Sequence, residues 1–397
     1  AAERNAAALG ALRHGLRRLR RLHEVRVFRQ LVSTAVDAKC LRAEVATREY
    51  AGLTREDQQA WNGPFFFVQV ADPQLGMHAG LREDDGRGGS DWSTELETLT
   101  KAVRAINRLR PKFVVVSGDM THANPGQEFY DAQVKALRKT FARVSDSIPV
   151  LYTVGNHDVS DSPTTEDLKA AEAAYGSGYY GFWYGGVRGL VLNSCLLLPS
   201  AYPALEAEAS AQLAWFNEEV EQARLNAHAI LLFMHHPMWL SHAEEEDDPA
   251  WTVPSAVRGP LMTQLHHPKV RAIFAGHYHR NAGGMAYPGG RKVVPFKPSK
   301  PKPDREETEG GKEGDGDDDD QEDEEEDSSD DEQAGDDTLY EGPEMVVCNS
   351  VGLSHDESSP RGIRIVEVYE HEITHTYYGV DSIPARVQLR EEEPAKK

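Results

Sequence analysis

Short apolar runs separated by amphipathic stretches organise the chain from residue 64 onward. Phe65–Val70, Phe113–Val116 and Val150–Val154 are compact, rich in β-favouring residues, and predict buried strands. Between them, Thr94–Leu109 carries Leu96, Leu99, Val103, Ile106 and Leu109 at helical spacing, and Gln127–Val144 predicts a second helix. This β-α-β-α-β order implies parallel strands joined by right-handed crossovers. Phe182–Trp183 and Leu190–Cys195 then predict a hairpin about Gly185-Gly186, followed by a helix over Leu205–Ala227 and a strand over Ile230–Phe233. Val257–Leu265 reads as helix and Val270–Ala275 as strand, and Met345–Cys348, Ile363–Tyr369 and Ile373–Tyr378 form a last strand group. The expected class is α/β, with two sheets covered by helices on both outer faces.

Two stretches fall outside this pattern. Residues 1 to about 45 hold ten Lys or Arg against four Asp or Glu, and Leu9, Leu12, Leu16, Leu19 and Leu22 line one helical face. We read residues 1–60 as a basic N-terminal helical extension, either an accessory helix or an Arg-rich transit peptide for organellar import. The chain begins at Ala1 rather than Met, as a fragment or a processed form would. Residues 61–385 then form one domain, interrupted by an acidic insertion at about 295–342. That insertion starts Lys/Pro-rich, becomes nearly pure Asp/Glu with Gly, and cannot bury enough apolar area to offset its ordering entropy, so disorder is expected.

The net charge of −22 belongs to this insertion. Residues 313–337 hold 17 acids and no Lys or Arg, and without them the chain stands at −5. An acidic protein of this kind is a poor candidate for nucleic-acid binding through phosphate contacts. The acidic run is suited instead to basic segments, whether its own N-terminal stretch or a partner's. No apolar run approaches the ~20 residues needed to span a bilayer. Cys40, Cys195 and Cys348 are sparse and odd in number, which argues against a disulfide framework and fits a reducing, cytoplasmic setting.

Five short motifs carry the chemistry, and each follows or ends one of the apolar runs. They are Asp72-Pro73-Gln74, Gly118-Asp119, Gly155-Asn156-His157-Asp158, Met234-His235-His236-Pro237 and Gly276-His277-Tyr278-His279. Singly, Asp-x-Gln and Gly-Asp are ordinary turns. Together they bring carboxylates, amides and imidazoles to the ends of several strands, as a two-metal hydrolytic site requires. Asp72 and Gln74 alternate past a strand end and can converge on one ion, and Asp119 can bridge two ions with its two oxygens. Pro237 fixes the chain after His235, which makes His235 the ligand candidate; strand alternation gives His236 a packing or supporting role. The remaining histidines, His355 among them, have no ligand-like setting.

These motifs resemble the calcineurin-like metallophosphoesterase superfamily throughout residues 64–380. Trp61-Asn62-Gly63-Pro64-Phe65, Ala71-Asp72-Pro73-Gln74-Leu75-Gly76 and Gly276-His277-Tyr278-His279-Arg280-Asn281-Ala282-Gly283-Gly284 are similar to the longer signatures of its calcineurin-like phosphoesterase domain-containing group of Ser/Thr phosphatases. The resemblance implies a four-layer α/β/β/α sandwich with two mixed central sheets. It implies two divalent ions, Mn²⁺ or Fe/Zn, one held by Asp72, Gln74, Asp119 and His279, the other by Asp119, Asn156, His235 and His277. Gln74 stands where the wider superfamily has His, and a neutral amide is the weaker ligand. Two such cations would clamp phosphate oxygens and lower the pKa of an attacking water, and His157 would protonate the leaving alkoxide. The superfamily's protein phosphatases orient that His with an Asp three residues after the bridging Asp; here the position is His122, a candidate substrate contact instead, as is Arg280. The implied substrate is a phosphoserine or phosphothreonine protein. A phosphodiesterase on nucleotides or glycerol diesters is the competing reading, and a non-catalytic scaffold the third.

Overall fold

The computed structural model describes residues 48–160, 162–198, 203–292, 339–356 and 358–391. The basic extension over residues 1–47 and the acidic run lie outside the described residues. The chain order is α1 (Arg55–Gln58), β1 (Phe65–Val70), α2 (Met77–Glu83), α3 (Ser93–Leu109), β2 (Val114–Ser117), α4 (Tyr130–Phe141), β3 (Val150–Thr153), α5 (Asn156–Val159), α6 (Thr165–Tyr175), β4 (Tyr180–Tyr184) and β5 (Val187–Val191). It continues with α7 (Glu206–Asn226), β6 (Ala229–Phe233), α8 (Ser255–Leu265), β7 (Val270–Ala275), β8 (Ala282–Met285), β9 (Arg291–Lys292), β10 (Leu339–Tyr340), β11 (Glu344–Val347), β12 (Gly362–Val368) and β13 (Ile373–Gly379).

The strands form two mixed sheets, ordered β13-β12-β1-β2-β3 and β4-β5-β6-β7-β11-β8. In the first, β1, β2 and β3 are mutually parallel. In the second, β5, β6, β7 and β11 are parallel. Side-chain alternation divides the interior into three apolar layers. Phe67, Val115 and Leu151 of the first sheet meet Leu231, Phe233, Phe274 and Val346 of the second, so the sheets face each other. The opposite residues of the same strands, Val68, Val70, Val114 and Val116, pack on Leu99, Val103, Ile106 and Leu137 of α3 and α4. On the far side, Ile230, Leu232, Ile273 and Val347 pack on Phe216 and Val220 of α7 and Leu261 of α8. Three layers of apolar contact make the four-layer sandwich that was expected.

The β4–β5 hairpin turns at Gly185 and Gly186, whose φ values of 52° and 82° match the tight turn the Gly-Gly pair predicts. Residues 48–60, read from sequence as part of the extension, pack on this hairpin. Tyr50 and Leu53 join the inter-sheet core, and Leu53 O accepts from Trp183 N at 2.7 Å. The flanks of the acidic insertion are also ordered more tightly than expected, since Leu339 pairs with Lys292 and Tyr340 with Arg291 in a two-stranded ribbon. Tyr287 N donates to Glu341 O at 2.8 Å just outside that pairing. No helix among the described residues is long and apolar enough to cross a membrane.

Candidate metal centre

All five motifs meet at the carboxyl ends of adjacent parallel strands, where open α/β sheets place their ligands. Asp72 and Gln74 leave β1, Asp119 leaves β2, and Asn156 follows β3, all in the first sheet. His235 leaves β6, and His277 and His279 leave β7, in the second. Among the described residues, nine non-glycine positions have positive φ, and five of them are Asp72 (48°), Gln74 (37°), Asp119 (50°), His277 (67°) and His279 (52°). L-residues in this region cost about 1–3 kcal/mol each and persist where the surroundings hold them, most often at functional sites. The glycines between strand and ligand make room for the opposing ligand. A Cβ on Gly155 would lie 2.2 Å from Asp119 Oδ1, and one on Gly118 2.3 Å from His235 Nδ1.

Two donor groups result. Asp72, Asp119 and His279 bring one ligand atom each within 4.8 Å of one another, and His235, His236 and His277 do the same. Gln74 lies beside the first group, 2% exposed, with its Oε1 buried and without a hydrogen-bond partner. Asn156 joins the second, with Oδ1 3.1 Å from His235 Nε2. Asp119 stands between the groups, its Oδ1 3.4 Å from His235 Nε2 and 3.0 Å from the backbone N–H of His157.

Backbone acceptors fix the rings of three of these imidazoles. A carbonyl oxygen only accepts, so the ring nitrogen facing one carries the hydrogen and the other nitrogen is left with a lone pair. His235 Nδ1 donates to Ser117 O at 2.8 Å, His277 Nε2 to Ala250 O at 3.0 Å, and His279 Nδ1 to Leu353 O at 2.5 Å. The lone-pair side of His235 then faces Asn156 Oδ1 and Asp119, both oxygen acceptors. A cation between them would satisfy all three groups. Without a metal, a proton serves: burial opposes charge on His235, but the Asp119 carboxylate prevails and pushes its pKa to about 9. Burial likewise opposes charge on Asp119, yet His235, His157 and His277 hold it ionised. His277 is lowered to about 4 by burial and His235, and His279 to about 3 by burial and His355, so both present neutral lone pairs. Burial and the neighbouring carboxylate of Asp119 raise Asp72 well above the usual range, His235 opposing them in part. Buried carboxylates crowded together without enough positive charge, with an orphaned amide oxygen at their side, are what a pair of divalent ions would neutralise.

His157, the candidate proton donor, stands next to Asn156, its backbone N–H donating to Asp119 Oδ1 at 3.0 Å. Its Nδ1 lies 2.9 Å from His122 O, and its ring stacks on that of His122 at 5.0 Å. His122 is therefore tied to His157 through its backbone and its ring face, and burial lowers its own pKa to about 4. Arg280 is exposed and donates to Tyr278 Oη at 3.3 Å and His355 O at 3.4 Å, so it stands at the rim beside Tyr278.

Three contributors escaped the sequence reading, and His236 lies nearer the centre than strand alternation placed it. His236, read as a supporting residue, lies with its ring 4.3 Å from that of His277, and its Nδ1 is 2.9 Å from Ser194 Oγ. Its motif was visible, but the alternation used to aim it away ends with β6 at Phe233. Asp158, the last residue of the Gly155-Asn156-His157-Asp158 motif, accepts from Met120 N at 3.0 Å and Gly155 N at 2.9 Å, clamping the Asp119 and Asn156 loops together. Burial and Asp119 raise its pKa to about 7. His355 stacks on His279 at 4.7 Å, and Trp251 lies 5.5 Å from His277; neither has a local sequence signal.

Comparison with known proteins agrees with this geometry. The calcineurin-like phosphoesterase family matches residues 67–281, more than half of the 397-residue chain. The chain is 32% identical over 344 residues to the serine/threonine-protein phosphatase CPPED1 of Danio rerio, covering 85% of this chain and 92% of that protein. It is 32% identical over 342 residues to the human protein of the same name, covering 85% and 90%. Among solved structures, the purple acid phosphatase PPD1 of yellow lupin seeds superimposes with a TM-score of 0.50 at 13% identity, covering 82% of this chain and 52% of that one, and speaks for the fold alone. The chain spans about half the length of that lupin protein. The fold and its centre define a metallophosphoesterase. The chain belongs to the calcineurin-like phosphoesterase family and is a phosphoric ester hydrolase.

Proposed function

We propose that the chain is a two-ion phosphomonoesterase that acts on phosphoserine or phosphothreonine in proteins. The observation that carries this reading is Asp119, whose one carboxylate borders both donor groups and also receives the backbone N–H of His157. Asp72, Gln74, Asp119 and His279 would hold one ion, and Asp119, Asn156, His235 and His277 the other, with His236 beside the second. An oxygen-and-imidazole donor set suits Mn²⁺, Fe or Zn²⁺. When bound, the ions supply Lewis acidity toward the phosphoryl oxygens and lower the pKa of water.

The chain's own groups do the rest. Asp72 and Asp119 anchor the positive charge that draws a dianionic phosphate into the cleft. His157, held by His122 O at Nδ1, presents Nε2 and gives its proton to the departing serine or threonine oxygen. Trp251 and Tyr278, half-buried and 5.2 Å apart beside His277, offer an aromatic shelf for the residues flanking the phosphate. The protein-phosphatase names of the relatives support the monoester substrate. Initial rates on a phosphoserine peptide and on a bis-aryl phosphodiester, measured in parallel with Mn²⁺ and after chelation, test it. Metal-dependent turnover of the peptide is expected, and preference for the diester would overturn the substrate assignment.

The 17 acids of residues 313–337 support a second element of the proposal, that the insertion binds basic segments. Deleting residues 304–338 is expected to raise KM for a Lys/Arg-rich phosphopeptide and to flatten its salt dependence; unchanged KM and salt response would refute it.

A further inference from the structure

One buried hydroxyl joins the two halves of the first donor group. Ser350, fully buried, follows β11. Its Oγ–H donates to Asp72 O at 2.7 Å, and the same oxygen accepts from Gly352 N and Leu353 N, both at 2.9 Å. A serine hydroxyl has one hydrogen to give and two lone pairs to fill, so this one is fully used. Asp72 is one of the residues held at positive φ, and its carboxylate accepts from His277 N at 3.0 and 3.2 Å. Leu353, at the other end of the serine's bonds, supplies the carbonyl that accepts His279 Nδ1–H at 2.5 Å. Val351 N on Ala71 O at 2.9 Å and Gly352 N on Asp72 O at 3.2 Å tie the same turn to the chain before Asp72. The packing leaves no slack, since a Cβ on Gly352 would lie 2.3 Å from Pro73 O.

We propose that Ser350 is the positioning residue for the Asp72/His279 half of the metal centre, setting the carboxylate and the imidazole in register through one hydroxyl. The proposal rests on the two-ion reading above. Without the hydroxyl, Leu353 N–H loses its acceptor and Gly352 N–H keeps only Asp72 O. The turn that carries Leu353 O then loosens, and His279 loses the acceptor that fixes its ring. The rings of His235 and His277 are fixed by Ser117 O and Ala250 O, outside this turn, so the second ion keeps its imidazoles even though His277 N also meets Asp72. Residues that orient metal ligands typically contribute about 10–100-fold to metal affinity.

The test is Mn²⁺ titration of the metal-free chain, wild type against Ser350→Ala, Ser350→Cys and Ser350→Thr, with thermal unfolding of each metal-free form alongside. Ser350→Ala is expected to weaken one of the two ions by about 10–100-fold and leave the other within about 3-fold. Ser350→Thr keeps the hydroxyl but adds a methyl to a fully buried site, so its ion affinities are read only against its metal-free unfolding temperature; with that temperature at the wild-type value, both ions are expected to bind as in the wild type. Ser350→Cys keeps the shape with a poor acceptor and reports the same selective loss if the alanine variant does not fold. A merely structural serine would lower the unfolding temperature and leave both affinities unchanged, and that result in both the alanine and cysteine variants would overturn the proposal. Equal loss of both ions in Ser350→Cys would also overturn it. Wild-type chain that binds fewer than two ions would instead bring down the two-ion reading itself.

Discussion

His157 Nδ1 lies 2.9 Å from the carbonyl oxygen of His122, so a backbone acceptor, not a carboxylate, orients the residue we propose as proton donor. The sequence left the orientation of His157 unexplained, because the position that holds Asp in the resembling protein phosphatases holds His122 here. The structure resolves this through an atom that every residue type possesses. The consequence is a separation of roles. His157→Ala is expected to lower kcat on an alkyl phosphate by about 10²–10⁴-fold while both ions stay bound. The loss should be much smaller on an aryl phosphate, whose leaving group departs without a proton. His122→Ala keeps its carbonyl and is expected to lose less than about tenfold of that same acid–base contribution. Leaving-group dependence of kcat with metal analysis checks both variants, and equal losses on alkyl and aryl esters would contradict the assignment.

Gln74 bears on how firmly the first ion is held. Its amide oxygen is buried without a partner and is a weaker donor than imidazole. Chelation is therefore expected to remove one ion before the other. Gln74→His should slow that first loss, and Gln74→Ala should hasten it. Metal content followed against time in chelator decides, and simultaneous loss of both ions from the wild type would count against two unequal sites.

Phe67 links the two sheets on which the centre depends. Its ring stacks on Phe113 at 4.8 Å and meets Phe274 and Phe233 of the opposite sheet edge-on at 5.4 and 5.8 Å. Phe67→Ala is expected to cost about 3–5 kcal/mol of stability, the range for a fully buried aromatic. Denaturant unfolding of the metal-free chain measures it, and a loss below about 1 kcal/mol would mean that the inter-sheet layer repacks freely.

His267, in the turn between α8 and β7, gives a pH dependence away from the centre. Its Nδ1 accepts from Lys269 N at 3.2 Å, and burial with the nearby Arg224 and Lys269 charges lowers its pKa to about 4. A histidine whose folded pKa lies below the unfolded value of about 6.5 stabilises the fold above that value. The contribution is lost as pH falls from about 6.5 to 4. His267→Asn keeps an acceptor and removes the titration. The difference in melting temperature between wild type and variant is expected to narrow or reverse toward pH 4, and a pH-independent difference would refute the linkage.

Much of this architecture was legible in the pattern of apolar positions. The runs that became β1, β2, β3, β6 and β7 were bounded to within a residue or two, and each ended on a motif that the fold then brought to the centre. Elements without a strong period were not legible. Helix α2 contains Gly80 and begins after Gly76, so its seven residues offered no run to read. Helix α6 did carry a signal, the Thr164–Asp167 capping box ahead of an Ala-rich stretch. Strand β8 is Ala-Gly-Gly-Met, in which glycine hides both pleat and propensity. In the centre, side-chain donors were readable because their identity is their chemistry. The acceptors that aim them, Ser117 O, Ala250 O, Leu353 O and His122 O, are backbone atoms brought close by the fold and have no letter in the sequence.

Stoichiometric metal titration of the metal-free chain, read as turnover of a phosphoserine peptide, tests the central claim most directly. The account predicts that activity is absent without metal and reaches its plateau at two equivalents of Mn²⁺ per chain. Full activity at one equivalent, or turnover that persists in excess chelator, would contradict a centre built around a shared Asp119.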